Sequence, residues 1–309
     1  MTGDGAVTLT AVVPATNRPP TLARCVAAIR AAAAAPEELV VVDGPSRAGP
    51  AAARNDGARR ASGDVVVFVD ADVVVHHDAF DRIRRAFEDD RGLAALFGCY
   101  DDRPEAPGAV SGFRNLLHHH VHRSAAGPVH SFWAGLGAIR REAFVEVGGF
   151  DAGRFPTASI EDVDLGRRLS ARGRRIYLDG ELQGTHLKAW SVGEMIRTDV
   201  MRRGIPWVAL LARERALPAE LNLGWRHRAG AALSVGAVTA LLARRPGIAL
   251  VALGGLVVLN ASFYRLLVER RGAPQAVAGV GLHVVHHLSS VAAVPLGAAT
   301  HLAAADGER

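Results

Sequence analysis

The chain has 309 residues, of which 49% are hydrophobic and 22% are charged. This length and composition exclude a disordered or collagen-like chain and leave ample residues for a buried core. Two cysteines are too few for a disulfide framework, which favours a reducing compartment. The formal net charge of +5 is too small to indicate a nucleic-acid partner, so we expect none.

Apolar runs alternate with helical segments along the first part of the chain. The patterns predict strands at residues 7–13, 39–43, 64–70 and 93–100, with helices at 21–35, 50–62 and 78–90. Fully apolar strands separated by helices of this length are typical of a parallel sheet that helices cover on both faces. We therefore expect an α/β domain of Rossmann-like type over residues 1–225.

The carboxyl-terminal part of the chain is poor in charge. Residues 229–304 contain six charged side chains in 76 positions, about 8% against 22% for the whole chain. Apolar segments occupy about 229–243, 247–266 and 276–300, and a helix needs about 20 residues to cross a bilayer core of about 30 Å. Core helices of a soluble domain are the alternative. We expect residues 226–309 to anchor the chain in a membrane through two to three helical segments.

The amino terminus shows no pattern of a targeting signal, because residues 7–13 are too short for a signal core and Pro14 follows at once. We therefore expect the catalytic part to face the cytoplasm, at the cytoplasmic membrane. The number and topology of the membrane segments stay open.

Polar residues follow the predicted strands, at the edge where parallel α/β sheets bind ligands. Thr16 follows the first strand, Asp43 ends the second, and Asp70-Ala71-Asp72 ends the third. The Asp-Ala-Asp spacing directs two carboxylates into one crevice, which suits a hard divalent cation that neutralises a diphosphate. Strand-end capping by turn-forming aspartates is the structural alternative.

Three later segments also carry candidate chemistry. Glu161 and Asp162 precede a helical run, where acids often only stabilise the helix dipole, although a carboxylate in a cleft can act as a general base. His186 lies where a neutral imidazole can complete a metal shell. Trp133 and Gly135 belong to a glycine-containing segment that permits close approach of a sugar or diphosphate.

The ordered motifs resemble family 2 of the nucleotide-sugar glycosyltransferases, which have the GT-A fold. The matching segments are VVPATNRPPTLARCVAAI at 12–29, VVVDGPS at 40–46, ARNDGARRASGDVVVFVDAD at 53–72, FWAGLGAIRREAFVEVGGFD at 132–151, EDVDLGRRLSARG at 161–173 and THLKAW at 185–190. Together they cover most of residues 7–190. The segments that follow look like the membrane tail of some bacterial members.

The resemblance implies a role for each matching position. It implies a nucleotide-sugar pocket formed by Pro14, Thr16, Asp43, Arg54, Asp70, Trp133 and Gly135. It also implies a site for Mg²⁺ or Mn²⁺ at Asp72, with Asp70 and His186 contributing. Asp162 is the implied catalytic base, with Glu161 beside it in the acceptor pocket. The family often has two adjacent aspartates where this chain has Asp43-Gly44, which leaves the donor base and sugar open.

We therefore expect a membrane-associated, metal-dependent and inverting glycosyltransferase, similar to hexosyltransferases, with a nucleotide-diphospho-sugar donor and a lipid-linked or glycan acceptor. The run VVVFVDADVV also fits a phosphatase of the haloacid-dehalogenase type with Asp70 as nucleophile. Such enzymes normally need a later lysine and acidic pair, and no acidic pair follows Lys188, the only lysine, before the membrane region. A non-catalytic membrane adaptor with a degenerate transferase domain is a third interpretation.

Overall fold

A computed structural model describes residues 6–16, 18–44, 49–215, 221 and 224–307. The chain divides into two compact units. The first comprises Met1–Asp101 and His122–Lys188, and the second comprises Asp102–Val121 and Ala189–Arg309. Pro45 and Ser46, which belong to the second family motif, lie outside the described residues, as does Asn17 of the first motif.

The described residues form a mixture of strands and helices up to residue 186, and helices alone after it. The strands are β1 (Leu9–Pro14), β2 (Glu38–Val42), β3 (Val65–Val69), β4 (Val73–Val75), β5 (Leu93–Tyr100), β6 (Gly127–Val129), β7 (Leu136–Arg140) and β8 (Arg175–His186). The helices are α1 (Leu22–Ala31), α2 (Gly49–Arg60), α3 (Ala79–Asp89), α4 (Ala109–Ser124), α5 (Arg141–Glu146), α6 (Glu161–Ala171), α7 (Val192–Arg197), α8 (Ile205–Glu214), α9 (Trp225–Leu242), α10 (Pro246–Leu259), α11 (Ala261–Arg271) and α12 (Ala273–Gly307), with a π-helix at Thr198–Gly204.

The first unit is built on one mixed sheet with the order β2-β1-β3-β7-β5-β8-β4, and β6 pairs with β8. β1 runs parallel to β2 and β3, and β5 runs parallel to β8. β7 runs antiparallel to β3 and β5, and β4 runs antiparallel to β8. The α/β fold agrees with the prediction, but the sheet is mixed rather than wholly parallel.

Apolar side chains from the strands and from α3 form the core of the first unit. All five residues of β3 are buried, as predicted from its unbroken apolar run. In α3 the buried residues Phe80, Ile83 and Phe87 recur at helical spacing, so one face of the helix packs on the sheet. Burying each such side chain contributes about 1.5–3 kcal/mol to the stability of the fold. This stability fixes the positions of the strand ends.

The second unit is helical, and its core joins distant parts of the chain. Phe113 and Leu116 of α4 pack with Met195 of α7 and with Phe263 and Leu267 of α11. Residues 102–121 therefore belong to the same compact unit as residues 189–309, whereas we expected one boundary near residue 225. Composition around residues 102–121 does not reveal this, because the apolar partners of α4 lie about 80 to 150 positions away in the chain.

The predicted membrane segments correspond to α9, to α10 with α11, and to the larger part of α12. α10 and α11 are bent by 78° where they meet, so residues 247–266 do not form one straight helix. Among the described residues, Ala273–Ala303 in α12 is long and apolar enough to cross a membrane, and the bent pair is a second such segment if counted together. Of the most apolar window in α12, 33% is buried within the protein.

Candidate active site

The pairing of two short strand segments brings Asp72 to His186. β4 starts directly after Asp72, and in its antiparallel register with β8 Val73 lies opposite His186. The Leu187 amide donates a hydrogen bond to the Asp72 carbonyl at 2.9 Å. The Asp72 Oδ2 and His186 Nε2 atoms are 3.6 Å apart. The strand register therefore brings together two residues that are more than a hundred positions apart in the chain.

The electrostatic surroundings of Asp72 favour its charged form. Burial by itself would raise the pKa of the Asp72 carboxyl, but the approach of the His186 imidazole and the charge of Lys188 hold it below its ordinary value. The His186 side chain is buried. Within the described residues, no group of three or more His, Cys, Asp or Glu side chains is arranged to hold a metal ion. Asp72 and His186 therefore form a pair of possible ligands and not a complete metal site.

The buried Arg54 side chain joins two of the predicted acidic residues. Its Nη2 lies 2.7 Å from Asp70 Oδ1, and its Nη1 lies 2.8 Å from Glu161 Oε1. Burial raises the pKa of Asp70, the Arg54 guanidinium opposes that rise, and the neighbouring Asp72 adds to it. Asp70 and Glu161 raise the pKa of Arg54 in return, against the effect of burial. The resemblance implies Arg54 in the nucleotide pocket; in this structure its guanidinium is held by the two carboxylates.

Asp162 lies beside the segment that contains Trp133 and Gly135. The Ala134 amide donates a hydrogen bond to Asp162 Oδ2 at 3.2 Å, and the Val163 amide donates to Oδ1 at 2.9 Å. These contacts orient the carboxylate at the start of α6. The Asp70 amide in turn donates to the Gly135 carbonyl at 3.0 Å. Backbone hydrogen bonds from one short segment therefore reach both acidic motifs.

The absence of a side chain at Gly135 leaves space for Trp133. A Cβ atom placed at Gly135 would lie 2.2 Å from the Trp133 ring. We expected this glycine to allow close approach of a sugar or diphosphate, and the structure shows that the indole of Trp133 lies against it. The Trp133 ring also makes an edge contact with Tyr100, with 5.0 Å between centroids and an interplanar angle of 89°.

Pro14, Thr16 and Asp43 lie at the carboxyl ends of β1 and β2, where the sequence pattern predicts them. Pro14 pairs with Val42, and the Ala15 amide donates to the Val42 carbonyl at 2.9 Å. Asp43 is exposed, and Thr16 is half-buried. The parallel pairing of β1 with β3 sets these residues at the same edge of the sheet as Asp70.

Two residues near this site were not predicted from the sequence. Tyr100 is the last residue of β5, and its ring stacks on the His186 imidazole with 4.0 Å between centroids and an interplanar angle of 6°. Asp101 follows it and is buried. The rule that singled out Asp43 and Asp70, a carboxylate directly after an apolar strand, applies equally to Asp101 after residues 93–100.

Comparison with known proteins gives this site a chemical context. Residues 44–148, about a third of the chain, match the family described as Glycosyl transferase family 2. The chain carries a family 2 glycosyltransferase domain. This match decides between the two enzyme classes that the Asp-Ala-Asp motif left open, in favour of the transferase. It includes Asp70, Asp72 and Trp133, and it ends before Asp162 and His186.

Two solved structures are similar to this chain. The mannosyltransferase PcManGT from Pyrobaculum calidifontis, solved in complex with GDP-Man and Mn²⁺, is similar at a TM-score of 0.52 and 16% identity, over 97% of this chain and 88% of that one. GalNAc-T7, solved with UDP, GalNAc and Mn²⁺, has a TM-score of 0.47 and 15% identity, over 75% of this chain and 51% of that one. No curated protein matches the chain by sequence. The catalytic fold is GT-A, as the sequence motifs predicted.

Proposed function

We propose that the family 2 domain transfers a sugar from a nucleotide-diphosphate donor, with a divalent metal held by Asp72 and His186. The observation that carries the proposal is the 3.6 Å separation of Asp72 Oδ2 and His186 Nε2. Adjacent ligands of an octahedral ion at about 2.1 Å lie about 3.0 Å from each other, so a small side-chain rotation accommodates Mn²⁺ or Mg²⁺. The presence of GDP-Man with Mn²⁺ in PcManGT supports this combination.

The donor set fits a metal that is shared with the substrate. Mg²⁺ and similar ions are usually bound through one or two protein ligands plus substrate phosphates. Asp72 and His186 supply two ligands, and the paired Asp70 keeps a second carboxylate nearby without leaving its charge uncompensated. Such an ion would neutralise charge on the leaving diphosphate. Asp70 then serves the nucleotide and the orientation of Arg54 more than the ion itself.

Asp162 is the residue that we assign as general base. Its carboxylate is oriented by the Ala134 and Val163 amides, next to Trp133. It would accept the proton of an acceptor hydroxyl as the oxygen attacks the anomeric carbon on the face opposite the leaving diphosphate, which inverts the configuration. A phosphate acceptor is already ionised and needs no such proton transfer. Glu161 forms a buried ion pair with Arg54, and we therefore assign it to positioning the Arg54 side chain.

We further propose that the helical unit attaches the enzyme to the cytoplasmic membrane, with the catalytic domain in the cytoplasm and a lipid-linked or glycan acceptor. The length and apolar character of Ala273–Ala303 support this. On α10, the side chains of Leu250, Val251 and Val258 are 70–77% exposed, which is unusual for large apolar residues in water.

A thermal-shift panel of nucleoside diphosphates and their sugars, each with and without Mn²⁺ or Mg²⁺, tests the proposal and identifies the donor base. A ligand at 100 times its Kd stabilises the folded state by about 2.7 kcal/mol. We expect metal-dependent stabilisation by one base class, followed by release of the nucleoside diphosphate in the presence of acceptor. A non-catalytic adaptor predicts no nucleotide-dependent stabilisation and undiminished cellular function of Asp162→Asn.

A further inference from the structure

The imidazole of His186 is covered on one face by Tyr100. The two rings are stacked at 4.0 Å with an interplanar angle of 6°. The torsion that turns a histidine ring about its Cβ–Cγ bond has broad minima, so the side chain alone does not set the plane of the ring. A parallel aromatic ring at van der Waals distance does set that plane. The direction in which His186 Nε2 points therefore depends on Tyr100.

The backbone register explains why these rings meet. β5 and β8 pair in parallel, and the register shifts between Phe97 and Cys99, after which Tyr100 lies opposite Gly184. Such irregularities change the direction of the side chains that follow, and they are common beside active sites. His186 lies two residues beyond Gly184, on the same face of the strand. Tyr100 and His186 therefore lie near the same end of the two paired strands, where their rings stack.

Asp101 secures the same stretch of β8 from its other side. Its amide donates to the Gly184 carbonyl at 3.0 Å. Its buried carboxylate accepts hydrogen bonds from the Thr185 hydroxyl at 2.5 Å and from His76 Nε2 at 3.0 Å. Thr185 immediately precedes His186. Two consecutive residues at the end of β5 therefore hold three consecutive residues at the end of β8.

Tyr100 also touches the predicted sugar pocket. The Trp133 ring meets it edge-on at a centroid distance of 5.0 Å. The order of contacts is Trp133, Tyr100, His186 and Asp72, which runs without a gap from the segment beside the general base to the metal pair. A substitution of Tyr100 therefore alters the packing of both His186 and Trp133.

We propose that Tyr100 and Asp101 are positioning residues that orient His186 toward Asp72 before the metal and the donor bind. This inference rests on the metal assignment under Proposed function. Partners that orient a metal ligand typically contribute 10- to 100-fold in metal affinity. Tyr100 and Asp101 have this effect without touching the ion, since their contacts are to His186 and Thr185.

The test is a titration of the full-length protein with Mn²⁺, in which electron paramagnetic resonance reports free Mn²⁺, with GDP or UDP present. We expect Tyr100→Leu to weaken Mn²⁺ binding about tenfold and Tyr100→Phe, which keeps the stacked ring, to remain within about twofold of the wild type. Asp101→Asn should weaken binding in the same direction. Tyr177→Leu is the matched control, because Tyr177 is an exposed tyrosine on the same strand as His186.

His186→Ala distinguishes a failure of the positioning role from a failure of the metal assignment. If His186→Ala loses Mn²⁺ binding while folded Tyr100→Leu and Asp101→Asn bind as the wild type does, the positioning role is overturned and the metal assignment stands. If the wild type binds no Mn²⁺ with either nucleotide, or His186→Ala binds it normally, the metal assignment fails and the inference falls with it. Melting temperatures in metal-free buffer identify any variant that is not folded, and Asp101→Asn then decides the outcome in place of Tyr100→Leu.

Discussion

Arg54 and Glu161 form a buried ion pair, with 2.8 Å between Nη1 and Oε1, although 107 positions separate them in the chain. The same guanidinium holds Asp70 at 2.7 Å. The acidic motif that follows β3 and the acidic motif that starts α6 are therefore one charge network. The arginine provides the positive charge between the buried Glu161 carboxylate and the half-buried Asp70 carboxylate.

Replacing Arg54 is expected to destabilise the catalytic domain. Removing one partner of a buried ion pair typically costs about 3–5 kcal/mol, because the remaining charge is left uncompensated. We expect Arg54→Met to lose about this much and Arg54→Lys to lose less, since lysine keeps the charge but not the forked geometry. Chemical unfolding measures the difference. The control is Arg59→Met on the exposed face of the same helix, and equal stability of the two methionine variants would contradict the network.

Asp72 is expected to be essential for metal-dependent donor binding. In Asp72→Ala the proposed metal loses its only carboxylate ligand, and we expect turnover to fall roughly 10²–10³-fold through lost stabilisation of the leaving group. Stabilisation by Mn²⁺ with nucleotide should vanish, while the melting temperature without ligands changes little. Asp81→Ala, on partly exposed α3, serves as the control. Undiminished turnover in Asp72→Ala together with Asp162→Asn would refute the mechanism.

Asp162 should affect catalysis and not donor binding. With a hydroxyl acceptor, Asp162→Asn removes the proton acceptor, and kcat is expected to fall about 10²–10⁴-fold. The affinity for the nucleotide-sugar, measured by calorimetry, should stay within about twofold of the wild type. Glu142→Gln, an acid in the first turn of α5, is the control. Unchanged kcat with that acceptor would exclude Asp162 as the base.

Asp199 is expected to make the stability of the helical unit depend on pH in the acidic range. Its carboxylate lies 2.7 Å from Arg114 Nη1 and 2.7 Å from His286 Nδ1. Burial alone would raise the pKa of Asp199, but Arg114 and His286 lower it from 3.8 to about 2. A lowered pKa in the folded state means that the ionised form stabilises the fold above about pH 4. This contribution, about 2 kcal/mol, is lost as the pH falls from about 4 to about 2.

The corresponding measurement is the free energy of unfolding between pH 2 and pH 5. We expect Asp199→Asn to be less stable than the wild type at pH 5 and to lose less stability on acidification, so that the two curves approach each other near pH 2. Asp56→Asn, which replaces a half-buried acid on α2, should run parallel to the wild type. Parallel curves for Asp199→Asn would show that its ion pairs do not contribute as described.

The exposed apolar face of α10 is expected to hold the enzyme at the membrane. An arginine at the centre of a membrane-inserted helix costs about 2.5–3.5 kcal/mol, so Leu250→Arg with Val251→Arg should shift the full-length protein toward the soluble fraction. Val145→Arg is the control, since Val145 is an exposed apolar residue of the catalytic unit at 69% exposure. Wild-type protein found wholly in the soluble fraction would contradict the membrane assignment.

The sequence by itself determined β1, β2, β3 and β5 and the acids that end β2 and β3, whereas β4, β6 and β7 were not predicted. Unbroken apolar runs predicted β1, β3 and β5, and the aspartates that follow β2 and β3 lie at the sheet edge as expected. This succeeded because burial on both faces requires apolar residues at every position of a strand, and such runs can be recognised locally. The motif order also pointed to the correct enzyme class.

Only the tertiary structure decided which of these residues meet. The antiparallel register of β4 and β8 brings Asp72 to His186, the shift between β5 and β8 brings Tyr100 over the imidazole, and the fold brings Arg54 to Glu161. It also joins residues 102–121 to the carboxyl-terminal helices. Each is a contact between segments far apart in sequence. Local patterns record how a segment is buried, whereas strand register and helix packing determine what it is buried against.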